Sequence, residues 1–420
     1  MKLMSQIMSP KNSDIRNRIL FTLAALFIFK LGTTIKVPGA LDSTSSLGFL
    51  DLLNIMGGDA LKQSSIFATG VFPYINASII ISLLIQFDII PKLKELSEQG
   101  NTGRQGINQI TRYVGIGISF IMGYFYSFMI LGSGKTAMEY LTVSVILTAG
   151  TSFLLWLGDQ ITLKGIGNGL SMIIMAGIIS TMPGMFIEAF RSLVNFDTTQ
   201  TIFMGAIWFV LFVSAYLAVL VGIVFINESE RRLPIQYSNS TSASYGAKQT
   251  YMPFKLNSAG VMPVIYASAL MSLPSVLAKF INNANFTIFV QKYLNYSSAV
   301  GLMIYVVAIL FFTYFQTFSQ LKPKDLADRL KKEGGYIPGI RPGVETVKYV
   351  KKVLVRLTSL GAVFLLVIVL LPIVLSSYTS LPTTVTIGGT GLLIGVGVAL
   401  ETYKQIESRL MARNYKGGRK

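Results

Sequence analysis

GVFPYINAS, residues 70–78, and GVMPVIYAS, residues 260–268, match in order at Gly, Val, Pro, Ile, Ala and Ser. Each sits at the start of a long apolar run and puts a glycine and a proline where a lipid-facing helix favours leucine. Such runs recur along the chain, each of roughly 17–25 residues, the length that crosses ~30 Å of hydrocarbon. Ten are legible, at about 19–35, 67–90, 113–131, 140–158, 169–187, 202–226, 258–278, 299–319, 357–375 and 387–402. The repeated motif falls in the second and the seventh. Five spans is an odd number, so the two copies run through the membrane in opposite directions. That is the signature of a duplicated, inverted unit with its pathway between the halves. The expected fold is therefore an all-α polytopic membrane protein of ten transmembrane helices. Its two inverted halves are residues 1–195 and 196–420.

Composition narrows the chemistry. The 420 residues are 52% hydrophobic and 13% charged, far from a water-soluble average. There is no cysteine and no histidine, which excludes disulfides, thiolate metal sites, imidazole catalysis and His-ligated metals. No cofactor and no enzymatic activity are expected. Met1 to Arg18 is polar and basic and leads into a span with no small-residue cleavage site, so no cleavable signal peptide is expected. The net charge is +17. With a cytoplasmic N-terminus, only Lys36, Lys62, Lys135, Arg191, Lys279 and Lys292 of the Lys and Arg residues lie outside, and Lys30 falls within a span. This positive-inside asymmetry predicts a multi-pass protein of the cell membrane with both termini in the cytoplasm. Much of that charge also suits contact with anionic membrane lipids. For Lys30, near the outer end of span 1, snorkelling is the default expectation.

Three segments outside the spans carry information. FLDLLNIM, residues 49–56, is a short amphipathic stretch closed by Gly57-Gly58, too short to cross and readable either as a surface helix or as a re-entrant element. Asn227 to Asn257 joins spans 6 and 7. Leu321 to Arg356 joins spans 8 and 9 with ten basic residues against four acidic ones. It holds GGYIPGIRPG, 334–343, whose glycines and prolines set a projecting turn with Arg341 at its tip. Something large and acidic is expected to dock there.

Eight further motifs, with that turn, carry a resemblance: RNRILFTL (16–23), VPG (37–39), SIFATGVFPYINASIII (65–81), GRQGINQITRY (103–113), FLLWLGDQIT and KGIGNGLS (153–171), FINESERRLPIQY (225–237), PFKLNSAGVMPVIYAS (253–268) and GGTGLLIGVGVALETYKQIES (388–408). Spread over nearly the whole chain, they resemble the SecY family of protein-translocation channels in its bacterial form. The resemblance implies a passive protein-conducting channel for unfolded secretory polypeptides, with sideways release of membrane segments through a lateral gate between spans 2–3 and 7–8. It implies a pore ring of Val71, Ile75, Leu170, Ile174, Ile265 and Ile394, an apolar constriction that excludes ions by dewetting. It turns FLDLLNIM into a re-entrant plug at about 49–58, with Phe49, Leu50, Leu52, Leu53, Ile55 and Met56 as its apolar face. Gate polar positions map to Ser82, Thr111 and Asn257. Ser82 departs from the family's usual glutamine, and Gln86 stands one turn later as a possible substitute. Arg341, with Arg231 and Arg232 as a second contact, maps to the docking surface for the motor ATPase SecA and for the ribosome, both its RNA and its proteins. In the second loop-borne contact, SNSTSASYGAKQ (238–249) is small and polar where relatives are more basic. The small membrane subunits SecE and SecG, signal sequences and nascent polypeptides complete the implied partners.

Two motifs are decoys. GSGKT (132–136) lacks the first glycine of a phosphate loop, since Met129 stands there, and no strand precedes it. GIGNG (165–169) has no βαβ context and reads as the tight turn that starts span 5. The alternative from another class is an ion-coupled small-molecule transporter, but its expected mid-membrane carboxylates are missing; Asp159 and Glu401 fall at cytoplasmic ends. An intramembrane enzyme lacks a base or nucleophile.

Overall fold

The computed structural model describes residues 13–40, 54–132, 134–194, 199–237, 250–281, 284–294, 298–378 and 383–417. Each expected span has its helix: α1 Ser13–Thr34, α2 Phe72–Gln86, α4 Gly100–Leu131, α5 Ala137–Lys164, α6 Gly169–Leu193, α7 Thr199–Glu228, α8 Met262–Ile281, α10 Ala299–Gln320, α12 Val344–Tyr378 and α13 Thr383–Gly417. Among the described residues six are long and apolar enough to cross a membrane unaided. The pair of α2 with α3, Pro91–Glu98, bent by 93°, makes a possible seventh. The apolar part of α8 is shorter, Met262–Ser272, and α1 and α13 are not among the six. All three pack into the bundle.

Helix contacts repeat along the chain. The neighbours α2–α4, α4–α5 and α5–α6 recur five spans later as α8–α10, α10–α12 and α12–α13, and α1–α6 recurs as α7–α13. Between the two sets, α6 packs on α7 and α13, and α2 packs on α8. One apolar core runs through both sets, from Phe29 and Leu147 to Ile309 and Leu365.

The repeated motif is a helix start. Gly70 and Gly260 have φ of 56° and 66°, the left-handed region that glycine enters without steric cost. Pro73 stands in the first turn of α2, where its missing N–H breaks no bond. The same two backbone bonds follow, Ile75 N to Val71 O at 3.2 Å and Ile265 N to Val261 O at 3.5 Å. At 15 residues α2 is about 22 Å long, so the chain before it enters the membrane zone without helical bonds. That is tolerated because protein supplies the partners: Thr151 donates to Gly70 O at 3.1 Å and pairs with Thr69 at 2.8 Å.

Three features were not anticipated from the sequence. α9, Ala284–Tyr293, follows α8 as a separate short helix. α11, Pro323–Lys332, follows α10 with its basic residues in the last turn, the favourable end of the helix dipole. The two long loops also fold together. β1, Glu230–Tyr237, pairs antiparallel with β2, Thr250–Lys255, and with β3, Gly335–Tyr336, in the order β2-β1-β3. Leu233 and Phe254 from the sheet pack with Ile337, Val350, Val353, Leu354 and Leu357 in a second core at the base of α12. Pro234 fits the central strand because β3 reaches only Gln236 and Tyr237, leaving its nitrogen edge unpaired.

Candidate functional site

On the side of the bundle that carries these loops, a cavity of about 320 Å³ opens between α6, α7, α8 and α13. Half of its lining residues are polar, among them Asn168, Ser171, Asn227, Glu228, Lys255, Asn257, Gln320, Glu401 and Lys404. Lys404 and Glu228 form an ion pair at 3.1 Å, joining α13 to the end of α7. Asn168 caps α6 by accepting from Leu170 N and Ser171 N, so GIGNG is the turn its sequence suggested. The cavity's apolar lining includes Ile174, Ile265 and Ile394. Three of the six expected ring residues are thus brought together from three helices, and all three are buried.

The other three stand differently. Val71 is buried at the entry to α2, and Ile75, half-buried, packs against the same core. Leu170 turns toward α5, where its Cδ2 fills the groove at Gly158; a Cβ added there would come within 2.7 Å of it. It is not among the residues lining the cavity.

Of the plug residues, Phe49, Leu50, Leu52 and Leu53 lie outside the described residues. Ile55 and Met56 belong to a buried helical turn at residues 54–56. That turn packs against α6 and α13. A Cβ on Gly177 would lie 2.2 Å from Met56 O, and one on Gly391 would meet Ile178 and Ile55 at 3.3 and 3.5 Å. Gly177 is thus the close-approach residue that admits the turn. Ile178 follows Ile174 by one helical turn, so Ile55 sits just beyond the cavity's apolar floor.

The expectation for Lys30 is corrected here. Instead of snorkelling toward headgroups, its Nζ donates to Gly58 O at 3.3 Å and Ser180 Oγ at 3.2 Å. Two protein acceptors lie within reach, and binding them avoids the cost of an unpaired ammonium in hydrocarbon. Beside it, Asn54 Nδ2 donates to Asp59 Oδ1 at 2.7 Å, and Asn54 Oδ1 accepts from Lys62 N at 2.9 Å. Burial pushes the Asp59 carboxyl above its ordinary range, while Lys62, Asn54 and Lys30 pull it back.

The expected gate residues are not brought together. Thr111 donates to Ile107 O within α4 at 2.8 Å. Asn257 Nδ2 donates to Asn227 Oδ1 at 3.3 Å and Gly260 O at 3.2 Å, on its own side of the bundle. Ser82 is half-buried on α2, and Gln86 is exposed at the end of the same helix. The two sides meet where α2 packs on α8, and the repeated motif lies at the start of both helices.

Arg341 is exposed in its turn, which is built by Gly339 and Gly343 at φ of 80° and 110°; its carbonyl accepts from Thr346 at 3.0 Å. Arg231 and Arg232 are exposed at the opposite end of β1 from the residues paired to β3. The Arg232 guanidinium lies over the Tyr251 ring at 4.7 Å, a cation–π contact that stiffens it. In the other decoy, GSGKT, Thr136 forms a capping box with Glu139 at the start of α5.

A bundle with a half-polar cavity reaching buried apolar side chains, and a buried turn beyond them, defines the class: a helical membrane channel. The SecY family profile matches residues 65–403. The chain is 46% identical over 418 residues to the protein translocase subunit SecY of Staphylococcus epidermidis and to that of Bacillus subtilis, covering 96% of each chain in both cases. Its fold is similar to a solved "protein conducting channel", with TM-score 0.66 and 17% identity over 94% of this chain and 92% of the other. It is similar as well to the yeast Ssh1 complex bound to the 80S ribosome, with TM-score 0.66 and 15% identity over 93% and 89%. The chain belongs to the SecY family, and it is the non-enzymatic, protein-conducting channel of the Sec translocase.

Proposed function

We propose that polypeptides pass between two inverted halves, residues 1–195 and 196–420, through a constriction of Val71, Ile75, Ile174, Ile265 and Ile394, with Leu170 joining when α6 moves. The observation that carries this reading is the polar cavity that ends on Ile174, Ile265 and Ile394, with Ile55 one turn beyond. A polar funnel keeps an unfolded chain hydrated. An aliphatic collar offers it no hydrogen bond or charge, and closes to ions by dewetting. The repeated helix contacts support the two-half division, and the α2–α8 contact supports a lateral gate formed by α2 and α4 against α8 and α10. The basic loops are read as cytoplasmic, with both termini, because this orientation satisfies the positive-inside asymmetry.

The partners follow from the same surfaces. Arg341 and the β1 arginines present guanidinium groups that bind carboxylates or phosphates in two-pronged fashion. This suits SecA and the ribosome, and solved ribosome complexes of structurally similar channels support the latter. SecE and SecG are read as the companions within the membrane. Pull-down from mild detergent tests the assignment: it should recover two small membrane subunits, and SecA or ribosomes with them. Recovery of the chain alone, with no stimulated export in proteoliposomes, would overturn it.

The plug is read as resting shut on α6 and held there by Lys30. Lys30→Met removes two charge-assisted hydrogen bonds, each ~1.5–3 kcal/mol, and restores an apolar span. Ion leak through the idle channel is expected to rise several-fold in planar bilayers while export is maintained. An idle conductance equal to the parent's would remove Lys30 from the latch.

A further inference from the structure

We propose that Pro234 and Pro253 keep the loop sheet from taking up the passing polypeptide as an added strand, so that the channel mouth stays indifferent to passenger sequence. The inference rests on the reading that the chain enters through the cavity described above. The sheet stands at that cavity's rim. Asn227 and Glu228, just before β1, and Lys255 and Asn257, at and just after the end of β2, all line it. An unfolded chain carries a free N–H and C=O on nearly every residue. An open sheet edge is a template for those groups whatever the side chains are.

The register shows where those edges point. Leu256 N donates to Ser229 O at 3.0 Å, and Arg231 then stands opposite Phe254, Leu233 opposite Met252 and Ile235 opposite Thr250. Bonded and non-bonded pairs alternate in an antiparallel ladder, so Tyr251, Pro253 and Lys255 turn their backbone groups to the outer edge of β2. By the same alternation Glu230, Arg232 and Pro234 turn theirs to the far side of β1, where β3 reaches only Gln236 and Tyr237. Among the described residues no strand pairs with the outer edge of β2, or with that side of β1 before Gln236.

Each open edge carries one proline, and each proline is at an outward position. Both residues are exposed, so burial does not account for them. What each does is remove the N–H that an added strand would bond and place its ring where that strand's backbone would lie. On β2 the gap falls in the middle of the edge, between Tyr251 and Lys255. On β1 it falls next to the end of β3, so a chain continuing the line of β3 meets Pro234 first. Lys255 and Arg232 add charge on the same two edges, a further deterrent to pairing.

The test compares two exported passengers, one rich in Val, Ile and Thr and one rich in Gly and Pro. Pro234→Val with Pro253→Val restores both N–H groups at exposed strand positions. A backbone hydrogen bond of ordinary net strength corresponds to about a 2- to 12-fold change in residence. Export of the first passenger is therefore expected to slow about three- to tenfold, with the second unchanged. Gln236→Val, which adds an exposed valine where β3 already pairs, should slow neither. An unchanged rate for the first passenger, equal slowing of both, or the same slowing by Gln236→Val would overturn the proposal. If the double variant inserts poorly, Pro253→Val alone carries the same comparison. The chain has no cysteine, so Ser171→Cys in the cavity wall reports the route, by disulfide formation with an arrested passenger that bears cysteines. A crosslink there, with export unslowed in the proline variants, removes the role of the prolines alone. No crosslink at Ser171→Cys removes the entry reading, and the proposal falls with it.

Discussion

Arg341→Glu is expected to block export almost completely while the protein inserts and folds as before. The side chain is exposed, and the turn is held by backbone: Thr346 bonds the Arg341 carbonyl, Ile340 N bonds Ile337 O at 3.0 Å, and the buried Ile337 anchors the turn in the loop-side core. Folding therefore does not depend on the guanidinium. Docking does, on the reading above. Losing a charge-assisted bond costs ~1.5–3 kcal/mol, which weakens the partner by about 10- to 100-fold, and a carboxylate facing an acidic surface adds repulsion. ATP-driven export in proteoliposomes is the measurement, with Arg341→Lys as the milder companion, because it keeps the charge and loses the fork. Normal export by the glutamate variant would show that the motor docks elsewhere.

The second large effect is expected at the constriction. Ile75→Gly with Ile265→Gly removes two aliphatic side chains at matching places of the repeated motif, and on the constriction proposed above idle conductance in planar bilayers should rise by about an order of magnitude or more. Dewetting depends steeply on the width of an apolar neck, so two missing side chains let a water column persist. Each glycine costs about 0.5–1 kcal/mol of helix stability, and deleting a buried isoleucine such as Ile265 adds about 2–5 kcal/mol, so the inserted amount of each variant is measured beside its conductance. Ile75→Leu with Ile265→Leu, which keeps the volume, should stay tight. A glycine double variant as tight as the parent would remove these positions from the ring.

Those two predictions differ in how they became legible. The ring candidates stand at i, i+4 spacing in apolar helices, a pattern shared with any lipid-facing stripe. Only packing separates Ile174, which lines the cavity, from Leu170, which fills the groove over Gly158. Arg341 could be read directly, because glycines and prolines around a charged tip describe a projecting turn with no further context. The sheet beneath it could not. Leu233 and Ile235 alternate with exposed neighbours in β1, but the second partner of that strand, β3, which pairs with Gln236 and Tyr237, lies about a hundred residues away and is two residues long.

Lys30 and Tyr266 mark the same boundary. In the sequence Lys30 is one cation near the end of a span, and the bilayer alone would send it to the headgroups. The fold brings Gly58 O and Ser180 Oγ to it, and nearby acceptors outweigh distant water. Tyr266 reads as one more aromatic in an apolar helix until the fold sets the Phe312 ring edge-on against it.

By itself the sequence determined the ten spans, the inverted repeat, the helix starts at Gly70 and Gly260, and the basic loops. These follow from the hydrocarbon thickness, from backbone bonds that must close within each helix, and from the left-handed φ values that glycine adopts most readily. Only the tertiary structure decided which residues floor the cavity, what holds the plug turn, and which helices meet across the two halves. Those depend on helix rotation and on contacts between distant segments, and period and composition carry neither.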